Sequence, residues 1–290
     1  MRGTPEPDNA IELADSRRLS FDDRGAPEGD AVLFFHGTPD TRLARHPDDR
    51  IAADLGVRLL ATDRPGLGGS DPDPEATPVS IADDHRHLLD HLGVERTHVV
   101  AWSAGSIHAL AFAGAHADRV RSLTLVAPLI PADAYADPGV LDGAGPSRQM
   151  FAEHLGSMSP GELGAELAMW LVPPEIDDET ARAILVESIA RVDHVPGAAD
   201  ALVAALRGAV ALGMTGLERE VAAQATPLGT VLDDIVAPVT IHSGRSDDQT
   251  PPAMSRWLAD RLSGSLREHE AGHEIGITAW DEVLRGLPER

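Results

Sequence analysis

The chain has 290 residues, with 47 Asp and Glu against 24 Arg, no Lys and no Cys, so its formal net charge at pH 7 is −23. Nucleic acids and anionic membrane surfaces select for basic patches, and we therefore expect neither as a partner. The lack of Cys excludes disulfides, thiolate nucleophiles and Cys-ligated zinc, and the lack of Lys excludes a Walker A phosphate loop and a Schiff-base lysine.

The N-terminal 19 residues contain no apolar stretch that could serve as the core of a signal peptide. The longest charge-free run, Thr97–Ala117, is long enough to cross a bilayer, but it contains three His, two Ser and two Gly. A buried strand followed by a buried helix explains this composition better. We therefore expect a cytoplasmic protein without a membrane partner.

Short apolar runs rich in β-branched residues alternate with helical patterns along the first 128 residues. The predicted strands are Ala31–Phe35, Val57–Thr62, Thr97–Trp102 and Leu123–Ala127, and the predicted helices are Arg42–Leu55, Ser80–Leu92 and Ala104–Ala115. Because the strands are apolar on both faces, they predict a parallel sheet covered by helices. Ile11–Leu13 and Arg18–Phe21 are expected to add an antiparallel hairpin at one edge.

The alternation of strand and helix patterns then stops, because no strand pattern occurs between Leu129 and Val231. The predicted helices of this stretch are Gly161–Leu171, Glu179–Val192 and Ala198–Leu212. Alternation of strand and helix returns with Val239–Ser243, Met254–Leu262, Ser265–His269 and Ala279–Leu284. We therefore predict a core domain of residues 1–128 and 232–290, interrupted by a helical cap of residues 129–231.

The sharpest local signal is the segment Ala101-Trp102-Ser103-Ala104-Gly105, which joins a predicted strand directly to a predicted helix. A serine on such a tight turn projects its hydroxyl above the carboxyl edge of the sheet. A serine that merely caps the helix is the alternative.

A second signal, His36-Gly37-Thr38-Pro39, follows the first strong strand. There the backbone amide of Thr38, together with that of Ala104, would form a two-donor oxyanion hole. In isolation this segment would be read as an ordinary turn.

Asp247 and His273 follow the strands at Val239–Ser243 and Ser265–His269, so both are expected at the same sheet edge as Ser103. Asp248 is a neighbouring acid that could take the place of Asp247. Each residue alone is a weak signal. Their chain order, Ser103, then Asp247, then His273, is the order of nucleophile, acid and histidine in α/β-hydrolases.

With these residues the sequence resembles the α/β-hydrolase superfamily, in its capped, esterase- and haloperoxidase-like branch. The loop Asp63–Asp71 is similar to that family's Asp-x-x-Gly-x-Gly-x-Ser segment, which is usually scaffolding. Ala101 departs from the family pattern, which has Gly there. The resemblance implies an α/β-hydrolase fold and an acyl-enzyme mechanism with nucleophile Ser103, base His273 and orienting acid Asp247, without a cofactor.

The expected function is hydrolysis of a small ester, lactone or related acyl compound. A proline iminopeptidase-like aminopeptidase and a C–C bond hydrolase remain alternatives within the fold, and a non-catalytic binding module is the alternative from another class. The serine at position 103 argues against epoxide hydrolases and haloalkane dehalogenases, which use an Asp nucleophile. The sequence does not predict the oligomeric state.

The run His269-Glu270-Ala271-Gly272-His273 matches the H-E-x-x-H signature of zinc proteases. That chemistry needs both histidines on one helical face. Gly272 and the strand-like residues before it argue against a helix, so we expect no metal. Gly66–Ser70 lacks the Lys of a phosphate loop and is not followed by a helix.

Within the predicted cap, several large side chains allow two interpretations, a small core between the cap helices or a substrate lid, and helical spacing favours the core. These residues are Met150, Phe151, Met158, Met169 and Trp170. Glu162 and Glu166 would bind a substrate amine in the aminopeptidase alternative. His108, close after Ser103, is expected to pack in the core.

Overall fold

A computed structural model of the chain describes residues 9–288 and contains an eight-stranded sheet in this range. The strands are β1 (Asn9–Glu12), β2 (Arg18–Gly25), β3 (Asp30–Phe35), β4 (Val57–Thr62), β5 (Thr97–Trp102), β6 (Val120–Val126), β7 (Val239–Gly244) and β8 (Ser265–His269). Their order across the sheet is β1-β2-β4-β3-β5-β6-β7-β8.

The six strands from β3 to β8 run parallel, whereas β1 and β2 form an antiparallel hairpin at one edge. The predicted parallel sheet and its edge hairpin are therefore confirmed. Strand β5 lies in the middle of the sheet and is buried along its whole length. Continuous apolar strands of this kind need helices on both faces, because neither face can be left in water.

Twelve α-helices are described. They are α1 (Arg50–Asp54), α2 (Pro78–His91), α3 (Gly105–Ala115), α4 (Pro146–His154), α5 (Pro160–Leu171), α6 (Asp178–Ile184), α7 (Val186–Val192), α8 (Ala198–Gly208), α9 (Thr215–Gln224), α10 (Pro252–Leu262), α11 (Ile275–Thr278) and α12 (Trp280–Arg285). One face of the sheet packs against α2, α3 and α10, and the opposite face packs against α1, α8, α11 and α12. None of the helices within residues 9–288 is long and apolar enough to span a membrane, and Thr97–Ala117 divides into β5 and α3.

Helices α4 to α9 lie between β6 and β7 in the chain, within the predicted cap, which we call the inserted segment (residues 129–231). They enclose an apolar cluster of their own, which includes Phe151, Leu163, Leu206 and Val221. The division of the whole chain into residues 1–128 with 232–290 and residues 129–231 stays a prediction, and residues 1–8 and 289–290 lie outside the described range.

Three predicted helices were wrong in extent. Ala198–Leu212 ends at Gly208, whose carbonyl oxygen accepts from the amide of Gly68 at 3.0 Å. Of Arg42–Leu55, only Arg50–Asp54 is helical. Pro47 disfavours helix in the residue before it, and the Arg42 amide and guanidinium bind the Asp63 carboxylate at 2.9 and 2.7 Å. The stretch Glu179–Val192 is broken at Leu185, which packs against two different apolar clusters.

Candidate active site

The candidate active site lies at the carboxyl edge of the parallel strands, where four loops meet. Strand β3 ends at Phe35, β5 at Trp102, β7 at Gly244 and β8 at His269. The candidate residues follow these four strand ends closely: Thr38, Ser103, Asp247 and His273. Parallel strands bring their carboxyl ends together, and residues that are far apart in the chain become neighbours here.

Ser103 lies on the turn between β5 and α3 with a φ angle of 56°, in the left-handed region that a side chain seldom adopts. The turn is tight, because a Cβ at Gly105 would lie 2.4 Å from the carbonyl oxygen of Phe35. Ala101, in place of the family's usual Gly, is fully buried in β5. The serine is therefore held on a strained turn at the sheet edge, as the sequence predicted.

His273 lies next to Ser103 although 170 residues separate them in the chain. Its Nε2 is 2.9 Å from Ser103 Oγ, and its Nδ1 is 2.8 Å from Asp247 Oδ2. The indole N–H of Trp102 donates to the carbonyl oxygen of His273 at 3.0 Å, which fixes the histidine loop against the end of β5. The structure thus brings the three predicted side chains into one hydrogen-bonded row.

Asp247, and not its neighbour Asp248, contacts the histidine. The backbone amides of Gln249 and Thr250 both donate to Asp247 Oδ1 at 2.9 Å, and Thr250 Oγ1 lies 2.8 Å from Oδ2. These donors orient the carboxylate toward the imidazole. Thr250 was not singled out in the sequence, since a threonine after an Asp-rich turn carries no distinctive signal.

The charges of this row support proton transfer. Burial disfavours the ionised carboxylate of Asp247, but the facing His273 and the donors of Thr250 outweigh it, and the pKa of Asp247 lies below its usual value. Burial also disfavours the imidazolium of His273, yet the charge and hydrogen bond of Asp247 outweigh burial and raise its pKa. The histidine is therefore a stronger base than a free imidazole.

Thr38 and Ala104 flank Ser103. Neither of their backbone N–H groups has a hydrogen-bond acceptor among residues 9–288, and Ala104 is the residue that precedes α3. Gly37 brings the loop close, because a Cβ there would lie 3.2 Å from Ser103 Cβ. Two amides without acceptors beside a serine hydroxyl are what an oxyanion hole requires.

A cavity of about 620 Å³ lies between Ser103 and the inserted segment. Arg148, Arg191, Glu187 and Asp248 supply charge of both signs to its wall. Its volume is in the range of pockets that bind small molecules.

The large side chains of the inserted segment divide between the two interpretations. Phe151 and Met158 pack in the apolar cluster of the segment, as helical spacing predicts. Met150, Met169 and Trp170 do not, and their exposed fractions are 37%, 52% and 76%. Met150 and Trp170 line the cavity, so for them the core interpretation was wrong.

Other candidates lie away from the cavity. Glu162 accepts from Ser159 in a capping box at the start of α5, and neither Glu162 nor Glu166 lines the cavity. His108 is buried, as expected, with its Nε2 3.5 Å from a carboxylate oxygen of Glu220. Burial lowers the pKa of His108 to about 3, so it is neutral.

The H-E-x-x-H match does not form a helix, because His269 ends β8 and residues 270–274 form a loop. The set of described residues that could hold a metal includes only one histidine of this match: His242, His269 and Glu282 have ligand atoms within 4.8 Å of one another. His242 Nδ1 and His269 Nε2 are 2.9 Å apart, and a hydrogen bond between the two rings explains this contact without an ion.

The loop that follows β4 is scaffolding. The Asp63 carboxylate accepts from the amide of Gly69 at 2.9 Å and from Arg42, and Ser70 Oγ donates to the carbonyl oxygen of Asp63 at 2.7 Å. Arg64 and Glu220, which the sequence analysis did not single out, form a buried ion pair beside the Thr38 loop.

Comparisons with known proteins agree with this architecture. A family model described as the alpha/beta hydrolase fold matches residues 30–279. A 2-hydroxy-6-oxononadienedioate/2-hydroxy-6-oxononatrienedioate hydrolase from Cupriavidus pinatubonensis is 27% identical over 242 residues, which cover 81% of this chain and 76% of that protein. A proline iminopeptidase from Arabidopsis thaliana is 32% identical over 119 residues, but this match spans 40% of the chain and only 31% of the relative's length.

Among solved structures, the enol-lactonase from Burkholderia xenovorans superposes with a TM-score of 0.71 at 19% sequence identity, covering 96% of this chain and 97% of that one. At this identity the likeness shows the fold. The family match covers most of the chain, and the protein therefore belongs to the alpha/beta hydrolase fold family.

Proposed function

We propose that the protein is a serine hydrolase that cleaves a small ester, lactone or related acyl compound, without a cofactor, through an acyl-enzyme on Ser103. The observation that carries the proposal is the row Ser103–His273–Asp247, with contacts of 2.9 and 2.8 Å, beside two backbone amides that lack acceptors. The row opens on a cavity of about 620 Å³, which suits a small-molecule substrate.

In the proposed first step, Ser103 Oγ attacks the acyl carbon of the substrate while its proton passes to His273 Nε2. The carbonyl π electrons move to the oxygen, whose negative charge the amides of Thr38 and Ala104 stabilise. Asp247 stabilises the imidazolium and holds its Nδ1–H. The intermediate then collapses, the bond from the acyl carbon to the leaving oxygen breaks, and His273 returns the proton to that oxygen.

In the second step, water attacks the acyl-enzyme. His273 removes a proton from the water as its oxygen bonds to the acyl carbon, and the same two amides stabilise the second oxyanion. Cleavage of the ester to Ser103 returns the proton to the serine and releases the carboxylic acid. The raised pKa of His273 suits this base role, because the proton leaves an oxygen far less acidic than the imidazolium.

Hydrolysis of p-nitrophenyl butyrate and of a small lactone by the purified protein tests the proposal. We expect release of p-nitrophenol and opening of the lactone, with the activity retained in EDTA. A folded protein that turns over neither compound, nor any acyl compound in a broader panel, would contradict the proposal and favour a binding module.

C–C bond hydrolysis is the second candidate. The Cupriavidus pinatubonensis relative, which is named as a hydrolase of 2-hydroxy-6-oxononadienedioate, matches 81% of the chain. The same serine, histidine and acid would serve it. A 2-hydroxy-6-oxo dienoate substrate distinguishes the two activities: a kcat/KM for it well above that for the esters would replace our proposal with this candidate.

The aminopeptidase alternative has less support. Glu162 and Glu166, its expected amine-binding carboxylates, do not line the cavity. The carboxylates that do are Glu187 and Asp248, and the side chain of Arg191 is 4.0 Å from that of Glu187. Turnover of proline p-nitroanilide in preference to esters would reverse this ranking.

A further inference from the structure

Glu220 is a buried carboxylate of α9 that reaches from the inserted segment to the loop at the end of β3. Its side chain is 3% exposed. Its Oε1 accepts from Arg64 Nε at 2.7 Å, its Oε2 forms a second, short contact with Arg64 Nη2, and Thr38 Oγ1 donates to Oε2 at 3.0 Å. One carboxylate of the inserted segment therefore binds both the side chain of Thr38 and the guanidinium of Arg64.

Arg64 in turn binds the backbone of the same loop. Its Nη1 donates to the carbonyl oxygen of His36 at 2.8 Å, and its Nη2 donates to that of Gly37 at 3.0 Å. His36 Nδ1 also lies 2.8 Å from the Gly37 oxygen, and must carry the hydrogen because a carbonyl oxygen only accepts. Two donors thus hold the Gly37 carbonyl.

The Gly37 carbonyl and the Thr38 N–H belong to one peptide unit. This unit is planar and trans, so its N–H points opposite to its C=O. Holding the oxygen on the Arg64 side therefore fixes the direction of the Thr38 N–H, which lies beside Ser103 and has no acceptor among the described residues. The direction of this N–H decides how well it stabilises an oxyanion.

The charges favour a permanent Arg64–Glu220 pair. Burial disfavours the carboxylate, but the charge and the hydrogen bonds of Arg64 outweigh it and lower the pKa of Glu220 to about 2. Burial, together with Arg64, lowers the pKa of His36 well below its usual value, so no second cation competes. Arg64 itself is fully buried and needs a counter-charge.

We propose that Glu220 is a positioning residue, which acts through Arg64 and the Thr38 hydroxyl to fix the direction of the Thr38 amide. The inference rests on the proposed acyl-transfer function. The inserted segment would then contribute to the chemical step as well as to the cavity wall, because α9 supplies the carboxylate that completes the oxyanion loop.

The test is Glu220→Gln, with Glu218→Gln on the same helix as the matched control. We expect kcat for p-nitrophenyl butyrate to fall about 10- to 100-fold, less than or comparable to the loss of one oxyanion-hole donor, with KM within about threefold. The Ki of phenylboronic acid, which forms a tetrahedral anion on Ser103, should rise by a similar factor. Glu218→Gln should behave as wild type in all three measurements.

A purely structural role for Glu220 would lower thermal stability without this matched change in kcat and boronate affinity. A folded Glu220→Gln protein with wild-type kcat and boronate Ki would overturn the inference. If that protein hydrolyses esters normally, the proposed function stands and only the inference fails. A wild-type protein that hydrolyses no acyl compound would overturn both.

A second pair of variants decides the matter if the Gln variant does not fold. Thr38→Val removes only the hydroxyl that binds Glu220. The matched control is Thr226→Val, because the Thr226 hydroxyl donates to the carbonyl oxygen of Ala222 at 2.9 Å and does not line the cavity. We expect kcat to fall about three- to tenfold in the Thr38 variant and to stay within about twofold in the Thr226 variant. Wild-type kcat in Thr38→Val would overturn the inference.

Discussion

The edge of the sheet and the inserted segment differ in how they hold their side chains. At the sheet edge, Asp247 is 3% exposed and accepts two backbone amides, and His273 is tied to Trp102. In the inserted segment, the cavity wall includes Trp170 and Val186, with exposed fractions of 76% and 62%. We therefore expect the sheet edge to determine the proposed reaction, and the exposed wall of the segment, as distinct from its buried Glu220, to select the substrate.

The largest expected effect is at the nucleophile. Ser103→Ala should lower kcat on the order of 10⁶-fold, because the attacking oxygen is lost. Ser106→Ala is the matched control, since its hydroxyl donates to the carbonyl oxygen of Leu129 at 2.7 Å and takes no part in the row. Steady-state assays with p-nitrophenyl butyrate measure both, and near-normal turnover by the Ser103 variant would refute its role.

A smaller loss is expected at the orienting acid. Asp247→Asn should lower kcat about 10⁴-fold, because an amide neither stabilises the imidazolium nor fixes the productive tautomer of His273. Asp248→Asn should stay within about tenfold, since Asp248 does not contact the imidazole and acts only on the cavity wall. Equal losses in the two variants would contradict the assignment of Asp247.

The pH dependence tests the same row without mutation. The base must be neutral, so kcat/KM should fall as the pH drops through the pKa of His273 in the free enzyme. Although burial opposes it, Asp247 raises that pKa, and the midpoint of the acidic limb should lie above the ordinary histidine value of 6.5. A limb that stays flat down to pH 5 would contradict His273 as the base.

The smallest effect is expected at the cavity wall. Trp170→Ala should change KM by a few-fold, and differently for short and long acyl chains, because it alters a surface that contacts substrate and not the reacting atoms. The free energy of unfolding should change by less than about 0.5 kcal/mol, since the side chain is exposed. A loss of kcat comparable to that of Asp247→Asn would contradict the assignment of Trp170 to the substrate-contacting wall.

The sequence predicted the sheet, and it predicted that the candidate site residues lie at its carboxyl edge, because both depend on local patterns. The runs Val57–Thr62 and Thr97–Trp102 have the bounds that their apolar residues suggest, and the loops after the strands carry their chemistry in short motifs. Chain order then placed Ser103 and His273 at one edge, as the geometry of parallel strands requires.

The features that the sequence did not predict depend on tertiary contacts, which no local pattern contains. Glu220 is 156 residues from Arg64 and 182 from Thr38, and nothing in α9 marks it as different from other acids in amphipathic helices. Trp170 has helical spacing in the sequence, but spacing does not show that its face of α5 is left uncovered. Arg42 was assigned to a helix from the local pattern alone. Its bond to Asp63 is a tertiary contact, which this pattern does not contain.

The most direct test of the central claim is covalent trapping. A fluorophosphonate should phosphonylate the protein once, at Ser103, with loss of fluoride as His273 accepts the serine proton. Peptide mass spectrometry should find the adduct on Ser103 in the wild type and find no adduct in folded Ser103→Ala. Failure of the folded wild-type protein to react, or an adduct on another serine, would contradict the account.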